Sequence, residues 1–321
     1  MKKRERRAPI AIDGRRARGY GVRVDPLVSR PPASRARSFL VIAAAYVAAL
    51  VVAALVVRWI GPEVHPLRVV ALADLAATIV VFAASVAANN SSVYDPYWSV
   101  APLVIAPWLA ARPIAAGAPL ARQALVIGLV TLWGIRLTYN WARGFAGLDH
   151  EDWRYVDIRA RTGRAYWPAS LFGIHLMPTV MVYLGCLALY PALTSPRPLG
   201  PLDAVAAAVT LGAVAVELVA DEQLRAFRND RREGEILARG IWAFSRHPNY
   251  FGEVSFWWGL FVFALAADPG AWWAGAGAAA ITALFVFVSI PLLDRRSVAR
   301  RPAYADHMKR VSALVPWFPR R

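Results

Sequence analysis

The sequence predicts an all-α, multi-pass transmembrane helical bundle of about seven to eight spans. Three observations carry that reading. The 321-residue chain is 58% hydrophobic with a mean hydropathy of +0.40, above the roughly half-apolar make-up of soluble domains. Apolar stretches near the roughly 20 residues that a bilayer crossing takes recur along it. The basic residues segregate to alternate connections between those stretches.

Residues 1–37 hold twelve Lys or Arg among Pro, Gly and Ser, the composition of a disordered basic N-terminal arm. The arm is too long for a signal n-region, and no small-residue cleavage site follows it. Residues 38–321 are expected to form one transmembrane domain. Spans are predicted at about Phe39–Val57, Val69–Ala88, Trp98–Ala111, Ala121–Trp141, Ser170–Tyr190, Leu202–Ala220, Phe251–Ala267 and Ala271–Leu293. The third is short and contains Pro102 and Pro107, which suits a tilted, kinked or re-entrant segment as well as a full crossing. The last two form a hairpin through Asp268-Pro-Gly270, a strong turn signal.

Charge orients the bundle. The arm carries twelve Lys/Arg, the 142–169 loop five, the 223–250 loop six and the C-terminal tail eight. The intervening loops hold only Arg58, Arg68, Arg112, Arg122 and Arg197, and Arg136 lies inside a span. Both termini are therefore expected in the cytoplasm. The net charge of +16 reads as topology and contact with membrane lipids rather than nucleic-acid binding. The single cysteine, Cys186, excludes an intramolecular disulfide. The five histidines are scattered without zinc spacing, so no metal site is expected. No internal repeat supports an inverted-repeat transporter.

Polar groups concentrate at the cytoplasmic span ends. Arg239–Glu253 packs Arg246, His247, Asn249, Tyr250 and Glu253 between apolar segments, with Pro248 suited to the first turn of a helix. Asn249 and Glu253 then share a helical face; a polar loop capping a membrane helix is the plain alternative. Arg136, Asn140 and Arg143 also share a face, and an arginine at that depth needs a partner or an anionic ligand. Asp221, Leu224, Arg225 and Arg228 share another, where Asp221 is positioned to pair with Arg225. Asn89–Trp98 reads as a turn. Asp74 and Glu217 lie inside spans, either as structural carboxyls or as proton donors. Arginine forks and amides on one membrane face suit an anionic cofactor. No Gly-rich dinucleotide fingerprint or P-loop is present to hold it.

Arg246-His-Pro-Asn-Tyr-Phe-Gly-Glu253, followed by a Trp-rich helix and preceded by Asp221…Arg228, resembles a family of bacterial membrane proteins related to steroid 5-alpha-reductases (DUF1295-like). The Trp133–Arg136, Glu151–Tyr155 and Arg301–Pro316 segments share that resemblance, which covers roughly residues 70–318. The wider superfamily holds sterol reductases and isoprenylcysteine and phospholipid methyltransferases. The resemblance implies a bacterial cytoplasmic-membrane protein that holds NADPH between the cytoplasmic ends of its C-terminal helices. It also implies an enzyme of lipid metabolism, an oxidoreductase that reduces a carbon–carbon double bond in a lipophilic, enone-like substrate.

On that resemblance Asp221, Arg228 and Asn249 match cofactor-contacting positions, and Asp294 and Tyr304 match the tail region. Arg246 and His247 are expected to assist with phosphate, Tyr250 and Glu253 to line the nicotinamide side, and Arg136 and Asn140 to stand in a second rank. A polarising Tyr–carboxyl pair comes from the second and third helices in the steroid enzymes; here Asp74, Tyr94 and Asp95 are the catalytic candidates. The alternative is an S-adenosylmethionine-dependent methyltransferase, but Leu292-Leu-Asp-Arg-Arg296 lacks the Glu-Glu pair those enzymes carry. A non-catalytic lipid-binding protein is the further alternative.

Overall fold

The computed structural model describes residues 34–320, and they form helices joined by short connections. Helix α1 (Arg35–Ile60) and α2 (Pro66–Ala88) form an antiparallel pair, followed by a 3₁₀ turn at Ser91–Tyr94, α3 (Tyr97–Ala110) and α4 (Leu120–Gly144). Next come α5 (Trp153–Thr162), α6 (Tyr166–Ser170), α7 (Met177–Cys186), α8 (Leu189–Thr194) and the long α9 (Pro201–Asp230). Then follow α10 (Pro248–Ala267), α11 (Gly275–Leu284), α12 (Ile290–Arg300) and α13 (Tyr304–Arg310). Among the described residues the one non-helical pairing is an isolated parallel bridge between Ser245 and Ser312.

Seven segments are long and apolar enough to cross a membrane: α1, α2, α4, Trp153–Cys186, α9, α10 and Ala271–Arg300. The chain is thus a multi-pass helical bundle. Two of the seven contain π turns, at Leu171–Leu176 and Phe285–Ser289. Each stands just ahead of a proline, Pro178 or Pro291, whose missing N–H and ring bulk block a regular i→i−4 bond.

The expected third span is the exception. At 14 residues, α3 is about 21 Å long at 1.5 Å per residue, short of a hydrocarbon layer of roughly 30 Å. It nevertheless runs from one end of the bundle to the other. Ser99 Oγ meets Thr138 Oγ1 at 2.9 Å near the end of α4. Trp108 and Arg112 share a cavity with Gly61 and Pro66 of the α1–α2 turn.

The basic arm lies outside the described residues up to residue 33. Arg35 and Arg37 stand in the first turn of α1, where Ser34 Oγ accepts from the Arg37 backbone N–H at 3.2 Å.

Helices in lipid associate through close packing rather than through water exclusion, and glycines bring α10 close against α9. At Gly252 an added Cβ would stand 2.9 Å from the Ala213 carbonyl oxygen, and at Gly259 it would stand 3.0 Å from the Thr210 nitrogen. Trp133 of α4 stacks on Phe256 at 4.6 Å and meets Trp257 edge-on at 5.3 Å, filling the wedge between α4 and α10. At the opposite end Arg122, fully buried, donates to both oxygens of Asp203 at 2.6 and 3.0 Å and to the carbonyls of Arg197 and Pro198. That bidentate, fully satisfied pair locks the start of α4 to the start of α9.

Candidate functional site

Three of the polar centres of the bundle gather the sequence-predicted residues, all but one of which fall within or beside them. The first is built where the chain re-enters after α2. Asn89 ends that helix in the left-handed region, φ 50°, which Asn tolerates. Asn90 Oδ1 then caps the 3₁₀ turn by accepting from Ser92 N at 2.8 Å. Its Nδ2 donates to the carbonyls of Leu148 and His150. The predicted turn is therefore a buried, bonded segment that aims Tyr94 and Tyr97 inward.

Tyr97 donates to Asp74 Oδ1 at 2.7 Å. Asp74 Oδ2 is buried and has no partner among the described residues. Tyr94 reaches the same centre through hydroxyls: its OH meets Thr179 Oγ1 at 2.8 Å, and Thr179 meets Thr78 at 2.9 Å. Thr78 in turn lies within hydrogen-bonding reach of Tyr97. Asp95 faces away, accepting from Tyr155 at 2.7 Å. Burial lifts its carboxyl to about 6, against the Tyr155 hydrogen bond and the nearby Arg154 guanidinium. Asp74 and Tyr94 thus belong together and Asp95 does not. Tyr97 was not among the predicted residues, although it lies three positions after Tyr94, one turn on along the same face.

Asp74 and Tyr97 open onto a cavity of about 380 Å³ between α1, α2 and α3, within the range of small-molecule sites. Its walls are Ala, Val, Leu, Ile and Trp side chains with Tyr46, and Asp74 is its only carboxyl. Leu50 and Val104 line it while remaining exposed on the outer surface of the bundle, so the cavity faces lipid.

The second centre joins α4, α9 and α10. Arg136 Nη1 donates to Asp221 Oδ2 at 2.8 Å and Nη2 pairs with Glu217. Asn140 donates to Asp221 at 2.9 Å and accepts from Arg225 at 3.1 Å. The pairing of Asp221 with Arg225 expected along one helix is replaced by one across helices. A guanidinium desolvated on α4 needs two acceptors, and its planar fork fits both α9 carboxylates. Glu253 accepts from the indoles of Trp133 at 3.1 Å and Trp257 at 2.8 Å. The absent side chain of Gly252 lets it sit against Glu217.

The third centre anchors the tail. Asp294 accepts from Arg246 at 2.7 Å and Tyr304 at 3.3 Å, and faces His247 Nε2 at 3.0 Å. Arg246 also donates to the carbonyls of Met308 and Val311. Burial raises the Tyr304 hydroxyl and lowers the His307 imidazole. These four predicted residues bond to one another, with Arg246 Nε left without an acceptor among the described residues, and pin the chain after α12 against the start of α10.

Several donors near the second and third centres are unused. Asn249 and the Tyr250 hydroxyl make no side-chain hydrogen bond among the described residues, and Arg228 is exposed without an ion pair there. Buried Nε atoms of Arg143 and Arg225 also lack acceptors. Pro248 opens α10, so the first N–H groups of that helix point out of it, an arrangement that favours anions. Tyr250 is held between His247 at 5.3 Å and Phe285 at 4.5 Å, within Coulombic reach of Arg154 and Asp221.

No solved structure matches the chain. The chain is similar to the "Uncharacterized protein C594.04c" of Schizosaccharomyces pombe, at 24% identity over 261 residues, covering 74% of this chain and 76% of that protein. Residues 81–311 match the family described as "Protein of unknown function (DUF1295)". That span takes in all three polar centres save Asp74 and Thr78, and the chain belongs to the DUF1295 family.

Proposed function

We propose that the protein is a membrane-embedded, NADPH-dependent reductase of a conjugated carbon–carbon double bond in a lipophilic substrate. One observation carries the reading: the Asp74–Tyr97 pair, with Asp74 Oδ2 unused, set in an apolar cavity that faces lipid. An enone entering that cavity meets its only carboxyl there, beside the Tyr97 hydroxyl. In its acid form Asp74 donates to the carbonyl oxygen as negative charge develops on it, and Tyr97 holds the carboxyl in place.

The unused donors around the start of α10, on the face that the charge bias assigns to the cytoplasm, would suit the cofactor. They are a cationic, amide-bearing set, and phosphates need both charge and directed N–H groups. Arg228, Asn249 and the first N–H groups of α10 would hold the phosphate and amide parts, with Tyr250 against the ring. Bound NADPH would supply the hydride, which adds to the β carbon; a proton completes the α carbon, and NADP⁺ leaves. Arg136 keeps Glu217 and Asp221 paired and so shapes the inner wall. Arg246, His247, Asp294 and Tyr304 act at one remove, by fixing the start of α10.

The test is a thermal-shift titration of the detergent-purified protein with NADPH, NADH and S-adenosylmethionine in parallel, followed by NADPH oxidation assays with enone lipids. A cofactor that binds the folded state alone stabilises it by about 2.7 kcal/mol at a hundredfold excess over Kd. Selective stabilisation by NADPH is expected. A response to S-adenosylmethionine alone would make the protein a methyltransferase, and no response to any would leave a lipid-binding scaffold.

A further inference from the structure

At the end of the bundle opposite the start of α10, arginines are few, and Arg122 is consumed by Asp203. Arg58, near the end of α1, and Arg112, just past α3, line a second cavity of about 220 Å³ together with Gly61, Pro66 and Trp108. No Asp or Glu lines it, and neither arginine has an ion pair among the described residues. Val57, Val69 and Trp108 line both this cavity and the apolar one that holds Asp74. The two cavities thus adjoin across these three side chains and together form a recess with an apolar part and a cationic part. Arg112 stacks over Trp108 at 5.0 Å, which leaves its N–H edges available to an oxyanion. Two unpaired arginines converging here run against the charge bias of the chain.

We infer that this recess takes a single-chain amphiphile with an anionic head, a phosphate or a carboxylate. The head sits between Arg58 and Arg112, and the chain runs down α2 towards Asp74. The identity of the bond reduced rests on the reductase reading; the binding does not. Asp74 lies eight residues beyond Pro66, so the chain reaches it about 12 Å from the head at 1.5 Å per helical residue. A neutral sterol would leave both arginines without a counter-charge.

The experiment measures binding of hexadecyl phosphate, hexadecanol and inorganic phosphate to the full chain in a non-ionic detergent, without NADPH. The wild type is expected to bind hexadecyl phosphate about tenfold more tightly than hexadecanol, a difference of about 1.4 kcal/mol. R58Q/R112Q should lose that preference while melting at the wild-type temperature without probe. R68Q, at the same end but lining neither cavity, should keep it. Ala101→Trp, which fills the apolar part, should weaken both amphiphiles. Equal wild-type affinities, a preference surviving in R58Q/R112Q or lost in R68Q, or equal stabilisation by inorganic phosphate would each overturn the assignment. The probes carry no reducible bond, so this result stands or falls apart from any failure of NADPH to bind or be oxidised.

Discussion

Tyr97 donates to Asp74 Oδ1 across 2.7 Å, tying the first turn of α3 to the middle of α2 and leaving Oδ2 free towards the lipid-facing cavity. Asp74→Asn removes the acid and Tyr97→Phe removes its support. Each is expected to lower turnover of an enone lipid by about 10²–10³, the usual scale of a lost general acid. NADPH affinity should stay within about twofold of wild type for both. Turnover and cofactor titration on the same preparations check this, and a parallel loss of cofactor binding would place the pair elsewhere.

Asn249 and Arg228 carry no partner that their loss would orphan, whereas Arg246 has Asp294 and two carbonyls. N249A and R228A should therefore weaken NADPH by roughly tenfold, about 1–1.5 kcal/mol, without moving the melting temperature. Arg246→Ala should act the other way round. It leaves Asp294 buried without its guanidinium and frees the tail, so limited proteolysis after Arg310 should quicken before cofactor affinity changes.

Arg136 faces two carboxylates. Removing one partner from a buried charge cluster typically costs about 3–5 kcal/mol, so R136Q should unfold well below the wild type in detergent. The triple variant R136Q/E217Q/D221N keeps the side-chain shapes without uncompensated charge and should recover much of that loss. Thermal unfolding followed by intrinsic Trp fluorescence is the readout.

Asp95 gives a pH signature. Its carboxyl is raised to about 6 by burial, so the folded state binds a proton more tightly than the unfolded chain does. Stability is then fullest below about pH 4 and falls as pH rises through 6, by on the order of 2 kcal/mol. Asp95→Asn keeps an acceptor for Tyr155 and cannot ionise. It should be more stable than wild type at pH 7–8 and level with it near pH 4. An advantage that persists unchanged down to pH 4 would rule out titration of Asp95 as its source.

Hydropathy and charge alone determined the all-helical, multi-pass bundle, because a bilayer forces every backbone polar group into local hydrogen bonds and leaves long apolar runs one conformation to adopt. They also marked Arg136, Arg246, His247 and Glu253 as groups too costly to stand unpaired, whereas Asp294 came only from the family resemblance. Which partners those groups take was decided only by tertiary packing. Periodicity placed Asp221 one turn from Arg225, but the glycine-mediated approach of α10 to α9, and the Trp133 wedge beside it, bring α4 close enough for Arg136 to take the carboxylate instead. The separation of Asp95 from Asp74 was likewise invisible in the chain, since how Asp95, just past the turn, faces relative to Asp74, in the middle of α2, is set only once Asn89 and Asn90 fold the backbone in. Tyr97 could not be singled out for the same reason. Its role depends on a 2.7 Å meeting between two helices whose register no single-helix pattern encodes.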